Sequence, residues 1–183
     1  MSTRTGCRPP PALRLSFSAM RDRTTQLLIR PFREGLDDSF VQSLGERAFS
    51  AYSRGARASM VSMLSEIGAE AGVAEIGRAK VGFAILGVAQ VAGDFGPFKD
   101  PAVVRLNAIA VRADSQGRGV GRGLLGWAEE RARALGGVSI TLTTAETNLR
   151  ARRLFELAGF LPVTRLPGTY VGGQTGIAMF KAI

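Results

Sequence analysis

The residues of this sequence whose type and spacing best suit ligand binding are four alternating glycines, Gly117, Gly119, Gly121 and Gly123. They lie in the segment 116–123, which follows an apolar run ending at Val111 and precedes an amphipathic stretch. Glycine lets the backbone approach a ligand closely, and the free N–H groups and dipole at a helix start attract an anion. Arg118 and Arg122 add positive charge to the same segment. The pattern predicts a binding site for a pyrophosphate.

Two common phosphate motifs do not fit this spacing. A Walker loop needs Lys and Ser or Thr after its last glycine, but Gly121 is followed by Arg122, so no hydroxyl is placed for magnesium. A dinucleotide fingerprint that starts at Gly117 needs glycine at 122, and one that starts at Gly119 needs glycine at 124, where the chain has Leu124. A glycine turn without a ligand is the remaining alternative. Alternating glycines at a helix start, however, sacrifice stability for no packing gain.

The sequence contains no histidine and a single cysteine, Cys7. Imidazole is the base or ligand in Ser-His and Cys-His catalysis and in most zinc and iron sites, so these chemistries are excluded. One cysteine also excludes an internal disulfide. We therefore expect no metal at the site.

The chain is basic, with 24 Lys and Arg against 15 Asp and Glu and a formal net charge of +9. Residues 1–23 contribute five arginines against Asp22, together with the run Pro9–Pro11, and we predict that they form a flexible basic extension. Basic charge suits a polyanionic small molecule as well as a nucleic acid. Since no helix-turn-helix pairing, zinc ligands or interleaved aromatic residues are apparent, we predict that no nucleic acid binds.

Composition predicts that residues 24–183 form one folded domain. Hydrophobic residues make up 45% of the chain and charged residues 21%, as in ordinary globular proteins. No apolar run approaches the ~18 residues needed to span a bilayer, and the N-terminal residues lack the apolar core of a secretory signal. We expect no membrane association and a cytoplasmic location.

Apolar periodicity predicts alternating strands and helices. Strands are predicted at residues 26–32, 73–76, 80–91, 103–111, 138–143, 160–166 and 175–181. Helices are predicted at residues 37–52, 56–68, 120–135 and 148–158, and a loop at 94–101. The fold class is therefore α/β (mixed α+β), with a central mixed sheet of about six to seven strands flanked by about four helices. The strand-helix-strand crossover over 103–143 is predicted to be parallel.

The segment Gln116-Gly-Arg-Gly-Val-Gly121 resembles the Gln/Arg-x-x-Gly-x-Gly/Ala motif of the GCN5-related N-acetyltransferase (GNAT) superfamily. The strand before it, 106–111, and the later segment 148–160 occur in the order found in that family, and 28–32 is similar to its first strand. The strong resemblance covers 103–163, about a third of the chain. It implies the GNAT fold and an N-acetyltransferase that uses acetyl-CoA as acyl donor.

The resemblance also implies where the cofactor lies. In the family, the central strand carries a bulge that splays it from its neighbour, and pantetheine runs along its backbone while the pyrophosphate sits on the glycine loop. For Asn148 a helix cap is an equally good interpretation. The implied cofactor-binding residues are Ile109, Val111, Gln116, Gly117, Arg118, Gly119, Val120, Gly121, Arg122, Asn148 and Phe155.

The reaction that the resemblance implies is direct attack of a neutral amine on the thioester within a ternary complex. It needs proximity and an N–H near the developing oxyanion, for which we predict the Val111 backbone amide. Many relatives place a tyrosine where this chain has Phe155, and that hydroxyl protonates the leaving thiolate. The chain's only tyrosines are Tyr52 and Tyr170, and either reaches the cleft only if its segment folds over it. No side-chain acid is assigned.

The general base and the acceptor are left open by the sequence. Glu75 and Asp94 are the candidates for the base, each with surface charge as the simpler interpretation. Acceptor specificity is expected to come from 37–68, 94–101 and 167–174, which carry no recognisable motif for either a small-molecule amine or a protein amine. Phe155 motivates an alternative in which the domain is a non-catalytic acyl-CoA sensor or a degenerate subunit. A homodimer is left open.

Overall fold

The computed structural model describes residues 26–90 and 102–183. The predicted extension 1–23 and the whole predicted loop 94–101, which includes the candidate base Asp94, lie outside the described residues. Two short 3₁₀ turns cover Ala113–Ser115 and Val171–Gly173. The strands and helices are β1 Leu27–Pro31, α1 Asp38–Phe49, α2 Ala56–Leu64, β2 Glu70–Ile76, β3 Ala79–Gln90, β4 Ala102–Val111, α3 Val120–Ala134, β5 Gly137–Ala145, α4 Leu149–Leu157, β6 Leu161–Tyr170 and β7 Gln174–Ala182.

The seven strands form one mixed sheet in the order β1-β2-β3-β4-β5-β7-β6. Only β4 and β5 pair in parallel, and α3 connects them; the other neighbours are antiparallel. The predicted mixed sheet with four helices and one parallel crossover is therefore confirmed. Among the described residues, none of the helices is long and apolar enough to cross a membrane.

Some predicted element ends were wrong by a few residues. The second helix, predicted to reach residue 68, ends at Leu64, and Ile67 is fully exposed rather than packed on the core. The sixth strand, predicted to end at residue 166, continues to Tyr170 although nearly all of its residues are exposed. Apolar periodicity locates the end of an element only where the apolar side chains there are buried. Ile67 and the residues of the sixth strand are exposed, so the pattern does not mark where these two elements end.

Two separate cores cover the two faces of the sheet. One core contains the inner faces of α3 and α4, with large buried residues such as Leu124, Leu125 and Phe160. The other lies beneath α1 and α2 and contains Val41 and Met60. α1 and α2 pack over β3 and β4 on one face of the sheet, and α3 packs over β1 to β5 on the other.

A bulge in β4 changes which core its side chains enter. Leu86 of β3 pairs with Leu106, but the next residue, Ile85, pairs with Ala108, so Asn107 is an extra residue in β4. Leu106 packs in the core under α3 and α4, whereas Ala108 packs in the core under α1 and α2. The extra residue shifts the period-2 alternation by one. β4 thereby joins the two cores.

A buried carboxylate anchors the first three strands to the start of α1. Asp37 is fully buried, and its oxygens lie 2.6 Å from Arg30 Nη1 and 2.6 Å from Lys80 Nζ. The backbone N–H of Arg33 donates to the same carboxylate at 2.8 Å, and Arg30 also pairs with Glu75 at 2.7 Å. The hydrogen bond from Arg30, aided by Lys80, holds the pKa of Asp37 well below its ordinary value against the opposing effect of burial.

The Asp37 cluster predicts acid sensitivity. Because the pKa of Asp37 is lower in the folded than in the unfolded protein, its contribution is complete above about pH 4 and is lost as the pH falls further. We expect Asp37→Asn to lower the free energy of unfolding at pH 7 by about 3 kcal/mol, because Arg30 and Lys80 lose a buried partner. Urea unfolding at pH 7 and pH 3 measures both effects.

The control is Glu34→Gln, which makes the same change of charge at an exposed position. It should change the unfolding free energy by no more than about 0.5 kcal/mol. Equal stabilities of the two variants at pH 7 would contradict the anchoring role of Asp37.

Candidate functional site

The cleft of the molecule opens where β4 and β5 diverge. Their last pair is Arg105 with Thr141, although β4 runs on to Val111 along β3 and β5 runs on to Ala145 along β7. The bulge at Asn107 lies two residues after Arg105 of this last pair and bends β4 away from β5. The bulged strand and the cleft expected between these strands are therefore confirmed.

Two backbone groups of β4 face this cleft. Along an antiparallel strand, successive residues point their N–H and C=O groups to opposite sides. The N–H of Arg112 donates to the Val81 carbonyl of β3 at 2.8 Å, so the groups of Val111 and Ile109 point away from β3, toward the cleft. The Gln116 side chain donates to the Val111 carbonyl at 2.8 Å and fixes the end of the strand. Ile109 and Val111 therefore present backbone groups to the cleft, and their contacts with pantetheine, which the family resemblance implies, stay predictions.

The opposite wall of the cleft is the free edge of β5. The N–H of Glu146 donates to the Thr175 carbonyl on the β7 side at 2.9 Å, and this fixes the alternation along β5. Since Glu146 points to β7, Ala145 and Thr143 point their backbone groups toward the cleft. Both walls therefore present backbone polar groups that strand pairing does not use.

The glycine loop stands at the outer end of the β4 wall. Gly117 and Gly119 have φ angles of 77° and 82°, and a Cβ on either would meet no atom within 4 Å. The first hydrogen bond of α3 joins the Gly123 N–H to the Gly119 carbonyl at 2.9 Å. The N–H groups of residues 120–122 therefore have no acceptor within the helix, and they face the open space at the loop. This arrangement suits an anion.

Positive charge surrounds the loop. Arg118 and Arg122 are exposed, and Arg150 of α4 donates to the Gln116 side-chain oxygen, so Gln116 links α4 to β4. The only acidic residue within the loop segment 112–123, Asp114, is paired with Arg112, which lowers its pKa. Arg150 was missed at the sequence level because nothing in the sequence shows that the start of α4 lies beside the loop.

Asn148 is a helix cap. Its side-chain oxygen accepts a hydrogen bond from the Ala151 N–H at 3.1 Å, so the interpretation as a cap is confirmed. Phe155 is only 4% exposed and packs edge-on against Phe160, with ring centroids 5.9 Å apart. It packs in the core, as its apolar neighbours on α4 predict. Cofactor contacts of Asn148 and Phe155 stay predictions.

The described carboxylates do not form a metal site, and Glu75 is not at the cleft. No group of three or more His, Cys, Asp and Glu within 26–90 and 102–183 is arranged to hold a metal ion. Glu75 lies on β2 and is paired with Arg30 of β1, and β3 separates β2 from β4. A carboxylate that the sequence analysis did not single out, Glu66, lies at the β4 bulge, where its Oε2 accepts from Asn107 Nδ2 at 3.1 Å and is 4.0 Å from Arg105.

The segment carrying Tyr170 does fold over the cleft. Its hydroxyl donates to the Thr143 carbonyl of β5 at 3.0 Å, on the edge that faces β4. The ring of Tyr52, from the α1–α2 connection, packs against it edge-on with centroids 5.7 Å apart. The sequence analysis expected a tyrosine to reach the cleft only if its segment folds over it, and the segment of Tyr170 does so.

Solved structures similar to this chain are acetyltransferases. Arabidopsis thaliana NAA60 in complex with acetyl-CoA superposes with a TM-score of 0.73 at 14% identity, covering 86% of this chain and 99% of that one. Ard1 from Thermoplasma volcanium gives 0.70 at 20% identity, covering 86% and 97%. The ribosomal-protein-alanine N-acetyltransferase from Brucella melitensis gives 0.67 at 21% identity, covering 85% and 99%. At these identities the likeness shows a shared fold.

Among curated protein sequences, none matches the chain significantly. A model of the Acetyltransferase (GNAT) family matches residues 26–160, which include the splayed strand, the glycine loop and α4. That match spans well over half of the chain and agrees with the fold and the cleft. The chain therefore belongs to the GNAT acetyltransferase family.

Proposed function

We propose that this protein is an acetyl-CoA-dependent N-acetyltransferase that acetylates a primary amine by direct attack within a ternary complex. The observation that carries the proposal is the continuity of the glycine loop with the cleft between β4 and β5. A phosphate site at the outer end of the β4 wall and free backbone groups along it suit a long ligand with an anionic end. Family membership and the acetyl-CoA complex of NAA60 support acetyl-CoA as that ligand.

The proposed cofactor contacts follow the wall from the loop inward. The N–H groups of residues 120–122, with the open backbone at Gly117 and Gly119, receive the pyrophosphate, and Arg118 and Arg122 neutralise its charge. Pantetheine runs along the cleft-facing groups of Ile109 and Val111. The hydrogen bonds of Gln116 to the Val111 carbonyl and to Arg150 support this path by holding β4 and the loop in fixed positions.

The chemistry needs three things from this cleft. It must hold the amine against the thioester carbonyl, stabilise the oxyanion that forms, and let the amine lose a proton. The Val111 N–H is our candidate for the oxyanion, since it points into the cleft beside the proposed thioester path. A lysine-like amine has a pKa of about 10 and is therefore mostly protonated at neutral pH. It must lose a proton before it attacks, and we propose that water carries this proton away.

A primary amine on a protein or on a small molecule is the proposed acceptor. A protein amine is supported by neighbours such as the ribosomal-protein-alanine N-acetyltransferase and the NatC complex bound to Gag peptide and CoA. We propose action in the cytoplasm, without a nucleic-acid or membrane partner. The dimeric state is left to measurement.

The experiment is release of free CoA thiol from acetyl-CoA with a panel of amines. The panel contains peptides with free N-termini, lysine peptides with blocked N-termini, polyamines and hydroxylamine. Turnover with at least one amine, with the acetyl group found on its nitrogen by mass spectrometry, is the expected result. Acetyl-CoA binding without turnover of any amine would favour the sensor that the buried Phe155 suggests.

The loop predicts that acetyl-CoA raises the thermal midpoint of unfolding and that Gly119→Ala reduces this effect. A ligand that binds only the native state stabilises it by mass action. The new Cβ enters the open space at the loop, where the backbone is expected to meet phosphate, and the φ of 82° adds strain. We expect affinity for acetyl-CoA to fall roughly tenfold, about 1.4 kcal/mol, by calorimetric titration.

Gly136→Ala is the matched control for this prediction. Gly136 has a φ of 74°, and its Cβ also meets no atom within 4 Å, but it lies past the other end of α3, about 22 Å along the helix. Both variants should lose similar stability, while only the change at Gly119 should weaken cofactor binding. An equal affinity for acetyl-CoA in the two variants would mean that the pyrophosphate binds elsewhere.

The core position of Phe155 predicts that Phe155→Tyr changes turnover by less than about tenfold. The ring is almost fully buried against Phe160, so the added hydroxyl lies among packed side chains and is not free to donate into the cleft. A positioned proton donor contributes about 100-fold or more only when its step controls the rate. Turnover of both proteins from pH 6 to pH 9 measures the effect, and a rise of two orders of magnitude would show that the natural protein lacks its acid.

A further inference from the structure

Three polar side chains form a hydrogen-bonded cluster at the β4 bulge. Arg105 Nε donates to Asn107 Oδ1 at 2.6 Å, and Asn107 Nδ2 donates to Glu66 Oε2 at 3.1 Å. The same carboxylate oxygen is 4.0 Å from the Arg105 guanidinium. Both ends of the Asn107 amide are therefore engaged, one by β4 itself and the other by Glu66 of the α2–β2 connection, residues 65–69.

The glycine at position 87 makes room for this cluster. Gly87 is the β3 residue paired with Arg105, and a Cβ on it would lie 2.7 Å from Asn107 Nδ2 and 3.0 Å from Glu66 Oε2. Atoms do not normally approach so closely, so a larger residue would displace both side chains. The neighbour of Gly87, Leu86, packs in the core under α3 and α4, so the cluster lies on the opposite face of the sheet.

The backbone of Glu66 is fixed on both sides. The Ser65 N–H donates to the Val61 carbonyl of α2 at 3.1 Å, and the Ala69 N–H donates to the Glu66 carbonyl at 3.0 Å. The second hydrogen bond closes a four-residue turn, whose third residue, Gly68, has a φ of 76° that glycine adopts readily. Glu66 thus reaches β4 from a short connection that is tied to α2 at one end and leads directly into β2 at the other.

The apolar pattern of β4 does not by itself decide where the bulge lies. Residues 108–111 are all apolar, and each face of the sheet has an apolar core, so these residues suit either register. A slip of one residue would exchange the faces of Ala108 and Ile109. It would also turn the backbone groups of Ile109 and Val111 from the cleft toward β3. The polar side chain of Asn107, held on one face, favours the observed register.

On the basis of the proposed acetyltransferase function, we propose that Glu66 is a positioning residue that holds the β4 bulge in the register required for cofactor binding. Its carboxylate fixes the amide of Asn107, the extra residue of the strand. The backbone groups of Ile109 and Val111 then face the cleft and receive the cofactor. In this role Glu66 touches neither acetyl-CoA nor the reacting atoms.

The test compares Glu66→Ala with Glu66→Gln and with Glu70→Ala. Glutamine keeps an oxygen that accepts a hydrogen bond from Asn107, whereas alanine has none. Glu70, at the start of β2, pairs with Arg131 of α3 through both carboxylate oxygens at 2.6 Å. Glu70→Ala is therefore the same substitution with the loss of a closer ion pair, on a strand that β3 separates from β4.

Affinity for acetyl-CoA is measured by calorimetric titration at a temperature where every variant is folded. We expect Glu66→Ala to lower this affinity about fivefold, because it removes a hydrogen bond to a charged but partly exposed group. The amide signals of Ile109 and Val111 should also move in the ligand-free variant. Glu66→Gln should stay within about twofold of the wild-type affinity. Glu70→Ala should lose at least as much thermal stability as Glu66→Ala but keep the wild-type affinity.

Two further variants test whether Glu66 acts through Asn107. Asn107→Ala should weaken acetyl-CoA binding by itself, and adding Glu66→Ala should cause no further loss, because the two residues share one interaction. Gly87→Ala should weaken binding as Glu66→Ala does, since its Cβ displaces the same two side chains.

Four results would overturn the assignment. They are an unchanged affinity in Glu66→Ala, an equal loss in Glu70→Ala, losses from Glu66→Ala and Asn107→Ala that add, and a raised acceptor KM with unchanged affinity for acetyl-CoA. The last result would show that Glu66 contacts the acceptor instead. If the wild type does not bind acetyl-CoA, the proposed function fails, whereas the amide signals of ligand-free Glu66→Ala still test the hold on the bulge.

Discussion

The divergence of β4 from β5 is the constraint on which the rest of the site depends. One extra residue, Asn107, ends the parallel pairing after Arg105 and reverses the faces of β4, so that the strand enters both cores and yet leaves its β5-facing edge free. A sheet edge inside a protein is normally paired because unpaired backbone groups are costly to bury. Here the edge lies open to a cleft, and the cofactor that we propose for this cleft would take the place of the missing strand.

Rigid supports on both sides hold this opening. On one side, Arg30 and Lys80 fix the buried Asp37 and thereby tie β1, β3 and α1 together behind the β4 wall. On the other side, β5 remains paired with β7 to its end, and the loop carrying Tyr170 is bound to the α1–α2 connection. The cleft is therefore bounded by elements that are fixed by contacts of their own, which favours a site formed before the cofactor binds.

Much of the fold and half of the site could be predicted from the sequence because their signals are local. Alternating glycines next to Gln116 identified the loop, and apolar periodicity identified every strand and helix that the structure describes. The remainder depends on tertiary contacts. No residue near Arg150 in the sequence indicates that α4 packs beside the glycine loop, and none near Tyr170 indicates that its ring contacts Tyr52. Ile67 is apolar and extends the helical pattern, but it is fully exposed because no core lies beneath it.

The proposed function depends on acetyl-CoA binding along β4, from the glycine loop to the bulge. The most direct measurement is backbone amide NMR of the isotopically labelled protein during titration with acetyl-CoA. Acetyl-CoA bound along β4 should shift the amides of Ile109, Val111 and residues 117–122 strongly, and those of β1 and β2 much less. Saturable binding that leaves Ile109, Val111 and the loop amides unshifted would contradict it.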